Sequence, residues 1–207
     1  MIKRLRGKKG VTQTELGKAI GLSMIMVSSI ERGQRNVTLK TQEKFCKFET
    51  QKEAMETGIR VGFAYITLGV ISAPLEGFID LTIKKRMDGE DYVCMNFAGP
   101  VRAAGGTAGA VSVLIGDYVR KKMGFKDYDP SEIEVKRFAT ELLDYNDRCV
   151  RLQYLPSEDE VKFLIEHIGI EIGGDPTERL EVSNYKDLPR VHTNKIRGGM
   201  CLVVGEC

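Results

Sequence analysis

Tryptophan is absent from the 207-residue sequence, and histidine occurs only twice, as His167 and His192. Neither histidine stands at helical spacing from another side chain with which it would form a metal pair, so we expect no metal site in this chain. The cysteines are odd in number and widely scattered: Cys46, Cys94, Cys149, Cys201 and Cys207. The absence of any Cys-x-x-Cys pair argues against a zinc site and against a disulfide framework. We therefore predict reduced thiols, a cytoplasmic location and no cofactor held by this chain.

Long apolar segments are missing as well. The longest one runs from residue 61 to 75 and is interrupted by Gly62, Gly69 and Pro74. It falls short of the roughly 20 residues that a membrane helix needs, and no apolar run follows the basic N-terminus as it would in a signal peptide. We expect no membrane partner. A composition with 42% hydrophobic residues also excludes wholesale disorder.

The net charge of +2 is too small to indicate a kind of partner, but the charges are distributed unevenly along the chain. Residues 1–50 hold 11 basic and 4 acidic side chains, whereas residues 51–207 hold 20 basic and 25 acidic ones. A basic head on a mildly acidic body predicts two parts with different roles. We place the boundary between residues 1–48 and residues 49–207.

The basic head has the pattern of two short helices. The run Thr12-Gln13-Thr14-Glu15 is a capping box, Gly21 would end the first helix, and Ser23 can cap the second. This pattern predicts a helix-turn-helix, and it resembles the Cro and lambda-repressor class of DNA-binding domains. That resemblance places the helix from Ser23 in the major groove, with phosphate contacts from Gln13 and from the turn at 35–36.

The resemblance assigns DNA binding to a set of head residues: Gln13, Ser23, Met24, Ile25, Ser28, Arg35 and Asn36. Apolar side chains at 24–26 occupy the first turn of the second helix, where polar side chains usually read bases. Apolar groups can touch a thymine methyl but cannot make paired hydrogen bonds to guanine or adenine. Functional DNA binding and a small helical module that binds nothing in particular therefore both remain open.

The body predicts an α+β fold that mixes helices with mostly antiparallel hairpins. Apolar spacing predicts a core-facing helix over residues 51–70, and alternation around Asp88-Gly89 predicts a hairpin over 79–97. A helix from about 107 to 123 follows, and Ser131-x-x-Glu134 and Ser157-x-x-Glu160 each predict a capped helix. Residues 150–154 are expected to form a strand. Residues 170–172 and 180–182 are expected to form a second hairpin around the turn at 173–176.

Two segments of the body are candidate sites. A glycine-rich loop precedes the helix at 107 and offers Arg102, Gly105, Gly106 and Thr107. It lacks the lysine and the spacing of a Walker A loop, so it is either an anion-binding loop or a tight turn that packs a helix onto a sheet. The second segment, residues 188–200, places basic side chains beside a Gly-Gly turn and is either a nucleic-acid contact or a solvated loop. Its candidate residues are Arg190, His192, Lys195, Arg197, Gly198 and Gly199.

From near Lys44 to its last residue, the body resembles the N-terminal region of the large subunit of archaeal family D DNA polymerase. Five motifs in order carry the resemblance: SAPLEG (72–77), FAGPxRxAGGTA (97–108), LQYxP (152–156), YKDLPRV (185–191) and TNxxRGGM (193–200). The family contains the glycine-rich loop and the turn at Arg197, so the resemblance implies a role for both in holding the assembly and lining the path of DNA.

The resemblance also bounds what this chain does. The family adds nucleotides with metal-bound aspartates that lie beyond the matched region, so Mg²⁺ and Zn²⁺ are expected only there and no residue here inherits a catalytic role. The implied partners are DNA, the small subunit and the remaining large-subunit polypeptide. Because the sequence stops at Glu206-Cys207, directly after an apolar run, we expect a fragment or a split gene. The alternative is a helix-turn-helix transcription regulator with a C-terminal partner domain, and a non-functional gene remnant is a third possibility.

Overall fold

A computed structural model describes residues 12–15, 50–66, 77–99 and 106–207, with side chains from residue 108 onward in the last of these ranges. The chain divides into two compact units, residues 1–50 and 51–207. The elements of the second unit are α1 (Gln51–Ile66), β1 (Phe78–Lys85), β2 (Asp91–Phe97), α2 (Gly106–Lys122), α3 (Glu132–Arg148), α4 (Glu158–His167), β3 (Glu171–Gly174) and α5 (Gly198–Val204). The α+β class is confirmed.

The first helix and the first hairpin follow the sequence pattern. Along α1, Met55, Ile59 and Phe63 recur every four residues and are buried, which confirms a core-facing helix over 51–66; residues 67–70 lie outside the described part. Strands β1 and β2 pair antiparallel. The turn between them contains Gly89 at φ 88°, a conformation that glycine adopts without the steric cost of a side chain.

Strand β2 is the central strand of a three-stranded sheet with the order β1-β2-β3. Its side chains are therefore buried on both faces, from Tyr92 through Met95 and again at Phe97. Strand β3 runs parallel to β2, with Cys94 opposite Glu171 and Phe97 opposite Gly174. The sheet is consequently mixed, and its antiparallel part is the β1-β2 hairpin.

The predicted second hairpin is wrong. Residues 171–174 pair with β2, while residues 180–182 pair with the segment 194–196. The Val182 amide donates to the Asn194 carbonyl at 2.9 Å, and the Ile196 amide donates to the Leu180 carbonyl at 3.0 Å. The apolar residues on both sides of the Gly-Gly-Asp-Pro segment indicated extended backbone correctly. Periodicity does not indicate which strand pairs with which, however.

The predicted strand over 150–154 is also wrong, because this segment pairs with no other strand among the described residues. Instead, the Asn146 side chain at the end of α3 accepts a hydrogen bond from the Leu152 amide at 3.0 Å. Tyr154 and Leu155 are exposed. The alternation in the sequence reflects an irregular connection whose Val150 and Leu152 side chains are partly buried against the core.

Both predicted capping boxes of the body are confirmed. The Ser131 hydroxyl accepts from the Glu134 amide at 3.3 Å, and the Glu134 carboxylate accepts from the Ser131 amide at 2.7 Å. The same reciprocal pair joins Ser157 and Glu160 at 3.3 Å and 2.7 Å. Residues 158–160 are exposed, as expected of an acidic first helical turn.

The core of the second unit lies where the sheet meets α2, α3 and α5. Met200, Cys201, Val203 and Val204 make α5 apolar on most of its surface, and all four are buried. Such a helix requires neighbours on several sides. The four described cysteines are free thiols, as predicted for them. Among the described residues, no helix is both long enough and apolar enough to cross a membrane.

Candidate functional site: the base of the glycine-rich loop

The structure describes the two ends of the glycine-rich loop. The loop begins at Phe97, the last residue of β2, and is described as far as Gly99; at its other end, α2 begins at Gly106. Arg102 and Gly105 lie outside the described residues, and for Gly106 and Thr107 the structure gives the helical backbone alone. The described part of the candidate site is therefore the base of the glycine-rich loop, where the loop leaves β2 and where it joins α2.

Two glycine pairs that are far apart in the sequence meet at this base. A Cβ atom on Gly199 would lie 2.5 Å from the Phe97 carbonyl oxygen and 2.6 Å from its carbonyl carbon. A Cβ atom on Gly174 would also collide with the Phe97 carbonyl oxygen. Because backbone atoms cannot move aside like a flexible side chain, both positions need glycine. The two glycines predicted to form a turn instead begin helix α5, and Gly199 packs directly against Phe97, where the glycine-rich loop begins.

Thr177 connects a third segment to the base of the glycine-rich loop through two hydrogen bonds. Its hydroxyl accepts a hydrogen bond from the Gly198 amide at 2.9 Å. Its own amide donates to the Ile196 carbonyl at 3.3 Å. On the other side, a Cβ atom on Gly198 would lie 3.0 Å from the Tyr145 ring. No pattern in the sequence pointed to Thr177, since a single threonine after a proline is not distinctive.

Arg197, the basic residue of the predicted turn, is directed inward. Its side chain is 4% exposed and that of Glu141 is 0% exposed. The guanidinium Nη2 donates to Glu141 Oε2 at 2.8 Å, and the Arg197 amide donates to Glu141 Oε1 at 2.7 Å. Burial alone would lower the pKa of Arg197, but the Glu141 carboxylate outweighs it and raises that pKa above its ordinary value.

A second buried arginine completes this group. Arg137 Nε donates to Glu141 at 3.2 Å, and its other nitrogens donate to the carbonyls of Tyr185 at 2.7 Å and Thr193 at 3.0 Å. Burial lowers the pKa of Arg137. One helix, α3, thereby fixes the whole segment 185–197 through a buried Arg137–Glu141–Arg197 triad. The i, i+4 spacing of Arg137 and Glu141 was the available signal, because both share a face with the apolar Phe138 and Leu142.

Arg190 is held in a similar way. Its Nη1 donates to Asp129 at 2.6 Å and its Nε donates to Glu134 at 2.9 Å. Its guanidinium carbon lies 5.5 Å from the ring centroids of Tyr92 and Tyr128. Burial raises the pKa of Asp129, but hydrogen bonds from the Met87 amide and from Arg190 outweigh it and leave this pKa below its ordinary value.

The interpretation of 188–200 as a solvated loop is therefore wrong for its two arginines. Arg190 and Arg197 are engaged by carboxylates, and a guanidinium used in this way is not free for a phosphate. His192 and Lys195 are exposed. A nucleic-acid contact by Lys195 stays a prediction.

Of the head residues, the structure describes Gln13, which is half-buried in a helical segment over 13–15. The predicted capping hydrogen bonds are present there: the Thr12 amide donates to Glu15 at 2.8 Å, and the Glu15 amide donates to the Thr12 hydroxyl at 3.2 Å. The other residues of the predicted helix-turn-helix site lie outside the described residues: Ser23, Met24, Ile25, Ser28, Arg35 and Asn36.

Over the described part of the chain, no group of three or more histidine, cysteine, aspartate or glutamate side chains is placed to hold a metal ion.

Comparison with known proteins identifies the region. The family model described as "DNA polymerase II large subunit DP2, N-terminal" matches residues 23–207. The DNA polymerase II large subunit of Nanoarchaeum equitans is 49% identical over 174 residues, which is 84% of this chain and 14% of that protein. The same-named protein of Thermoplasma volcanium is 50% identical over 158 residues, or 76% of this chain and 14% of that protein.

The protein of that name from Thermoplasma acidophilum is 42% identical over 207 residues, covering 99% of this chain and 18% of that protein. The chain thus spans less than a fifth of the length of these relatives. The family match begins at residue 23, inside the predicted helix-turn-helix and ahead of the expected start near Lys44.

Proposed function

The chain belongs to the family of N-terminal regions of the DNA polymerase II large subunit, and we propose that it is a structural platform within an archaeal replicative DNA polymerase. In this proposal the assembled polymerase carries out DNA-templated DNA synthesis in the cytoplasm. The partners of the chain are DNA, the remaining large-subunit polypeptide and the small subunit. The platform holds the glycine-rich loop at the path of the DNA.

The observation that carries this proposal is the packing of Gly199 and Gly174 on Phe97. The contact joins the end of β2 to two other segments, so the loop leaves from a base held on three sides. Rigid elements that carry a loop are the usual way in which proteins place binding residues accurately. The buried triad of Arg137, Glu141 and Arg197 holds the residue that directly precedes α5, the helix to which Gly199 belongs.

The loop itself is the part that we propose contacts DNA. It ends at the N-terminus of the 17-residue helix α2, where unpaired backbone N–H groups and the helix dipole favour a phosphate. Arg102 adds a positive charge, and Gly105 and Gly106 let a phosphate approach the backbone closely because they have no side chain. Arg197 acts as a positioning residue in this scheme, because its guanidinium faces Glu141 rather than solvent.

The chemistry of nucleotide addition lies outside this proposal for the chain. Two-metal phosphoryl transfer uses convergent carboxylates that clamp the attacking and leaving oxygens. We assign those carboxylates, and the Mg²⁺ and Zn²⁺ of the family enzyme, to polypeptide beyond the matched region. The isolated chain is accordingly expected to be inactive.

The test uses the assembled polymerase, with this chain in place of the corresponding region of the Thermoplasma acidophilum large subunit. We expect Arg102→Ala to weaken binding to primed DNA and to lower the slope of log K against log salt by about 0.7–0.9, the effect of one lost phosphate contact. Lys85→Ala is the matched control, since Lys85 is exposed on the edge strand β1. A slope unchanged by Arg102→Ala, or lowered equally by Lys85→Ala, would remove the DNA contact from the proposal.

A helix-turn-helix regulator remains the second candidate, favoured by the capping hydrogen bonds between Thr12 and Glu15. Dimeric readers of this kind select palindromic sites. The purified chain should then enrich one short palindrome from a random duplex pool. Recovery of no sequence would leave the regulator without support.

A further inference from the structure

A large groove lies on the second unit, away from the base of the glycine-rich loop. It has a volume of about 1010 Å³ and is lined by side chains of α2 and α4, by residues 154–156 and by residues 204–207. Three large apolar side chains from different segments line it and are mostly exposed: Leu114 at 69%, Phe163 at 65% and Tyr154 at 58%. Exposed apolar side chains that converge on one concavity mark an interaction surface, whereas scattered ones need no explanation.

The charge of the groove is strongly one-sided. Six carboxylates line it, against a single lysine, Lys121. Asp117 and Asp127 are engaged by Arg120, and Glu160 caps α4. The other three are exposed and, within the part of the chain that the structure describes, form no ion pair or side-chain hydrogen bond: Asp159, Glu166 and Glu206.

The groove therefore combines exposed apolar side chains with three carboxylates that form no ion pair among the described residues, Asp159, Glu166 and Glu206, which we call its rim. Unpaired rim carboxylates repel nucleic-acid phosphates and attract cationic side chains. A groove lined by two helices and by apolar side chains suits an amphipathic helix, whose apolar anchors recur at i, i+3, i+4 and i+7. A long-stemmed lysine or arginine can lie along the apolar wall and place its charge at the rim.

We infer that this groove is a docking site for a basic amphipathic helix of a partner protein. Leucine-like anchors of that helix pack between Leu114 and Phe163, and its lysine or arginine side chains meet Asp159, Glu166 and Glu206. The inference is independent of the proposed DNA contact, which involves the opposite charge and other residues. Loss of one would leave the other intact.

The test measures binding of two labelled peptides to the full 207-residue chain by fluorescence anisotropy. The first is a helix of about 14 residues, or four turns, with leucines on one face and lysines elsewhere. The second carries glutamates in place of the lysines. The lysine peptide is expected to bind, and its affinity is expected to fall as the salt concentration rises. The glutamate peptide is expected not to bind. Equal binding of both peptides would overturn the inference.

Variants then locate the site. Leu114→Ser combined with Phe163→Ser is expected to raise the Kd of the lysine peptide by about tenfold. The matched control is Ile133→Ser combined with Leu143→Ser, because these side chains are exposed on α3 but do not line the groove. All four side chains are exposed, so the fold should survive, and circular dichroism checks this. An unchanged Kd in the groove variant would refute the docking site.

Charge variants test the rim separately. Asp159→Asn combined with Glu166→Gln should reduce both the affinity and its salt dependence, whereas Asp175→Asn, an exposed carboxylate outside the groove, should change neither. Sedimentation of the chain alone distinguishes a second copy as occupant. A dimer that dissociates in the variant with Leu114→Ser and Phe163→Ser would overturn the assignment of the groove to a basic partner.

Discussion

Replacement of Arg197 by methionine tests whether this residue belongs to the platform or to the DNA-binding surface. Methionine keeps most of the length and apolar volume of the side chain, so the change removes the charge and the donors while leaving little cavity. The guanidinium lost in Arg197→Met binds Glu141 through two nitrogens and lies 5.1 Å from the centroid of the Phe138 ring. Glu141, which is 0% exposed, keeps Arg137 as its remaining charged partner.

Removal of one partner from a buried ion pair costs about 3–5 kcal/mol of unfolding free energy, because the other charge stays buried without compensation. In Arg197→Met the Glu141 charge is still balanced by Arg137, and the loss is that of two buried hydrogen bonds from the Arg197 guanidinium, so we expect the low end of this range, about 3 kcal/mol. Glu141→Gln leaves two buried guanidinium groups facing each other, so we expect about 5 kcal/mol. For a unit of this size, a loss of about 3 kcal/mol lowers Tm by roughly 6–12 °C.

The assay is urea unfolding of the full chain followed by circular dichroism, with calorimetry for Tm. Lys195→Met is the matched control, since Lys195 is two residues away and exposed; a surface change of this kind should stay within about 0.5 kcal/mol. A similar small effect of Arg197→Met and Lys195→Met would refute the structural role of the triad. If Arg197→Met lowered the free energy of unfolding more than Glu141→Gln, the argument that unbalanced buried charge sets the cost would be refuted.

Three further sets of substitutions test other contacts of the second unit. Gly199→Ala should cost about 1–3 kcal/mol or more by forcing a Cβ atom onto Phe97, whereas Gly58→Ala, with open space in α1, should stabilise by about 0.5–1 kcal/mol; denaturant midpoints distinguish them. Asp129→Asn should destabilise at neutral pH, but the difference should vanish as pH falls below the ordinary value of 3.8 and through the lower pKa in the folded state, as acid titrations of both proteins would show. Ser157→Ala should cost about 1 kcal/mol by thermal unfolding, and Ser157→Gly only a few tenths.

Elements with strong local signals were predictable from the sequence. Capping boxes involve residues three apart, so Ser131 and Ser157 mark helix starts without knowledge of the rest of the fold. The same holds for the four-residue spacing of Met55, Ile59 and Phe63 and for the turn at Gly89. These signals fixed α1, α3, α4 and the first hairpin.

Long-range partners were not predictable. The pairing of β3 with β2 depends on close approach of Gly173 and Gly174 to a strand almost 80 residues earlier. From the sequence alone, a pair of glycines predicts a turn equally well. The same limit applies to Arg197. A basic residue beside two glycines has the pattern of a phosphate-binding turn, but its role was set by Glu141, which lies 56 residues away in the sequence.

Nucleotide incorporation on a primed template distinguishes a structural platform from a catalytic unit. The purified chain is assayed alone and as a replacement for the corresponding region of the Thermoplasma acidophilum large subunit in an assembled polymerase. A platform without reactive groups predicts no incorporation by the chain alone and template-dependent synthesis by the assembled chimera. Incorporation by the isolated chain, free of contaminating polymerase, would contradict the account.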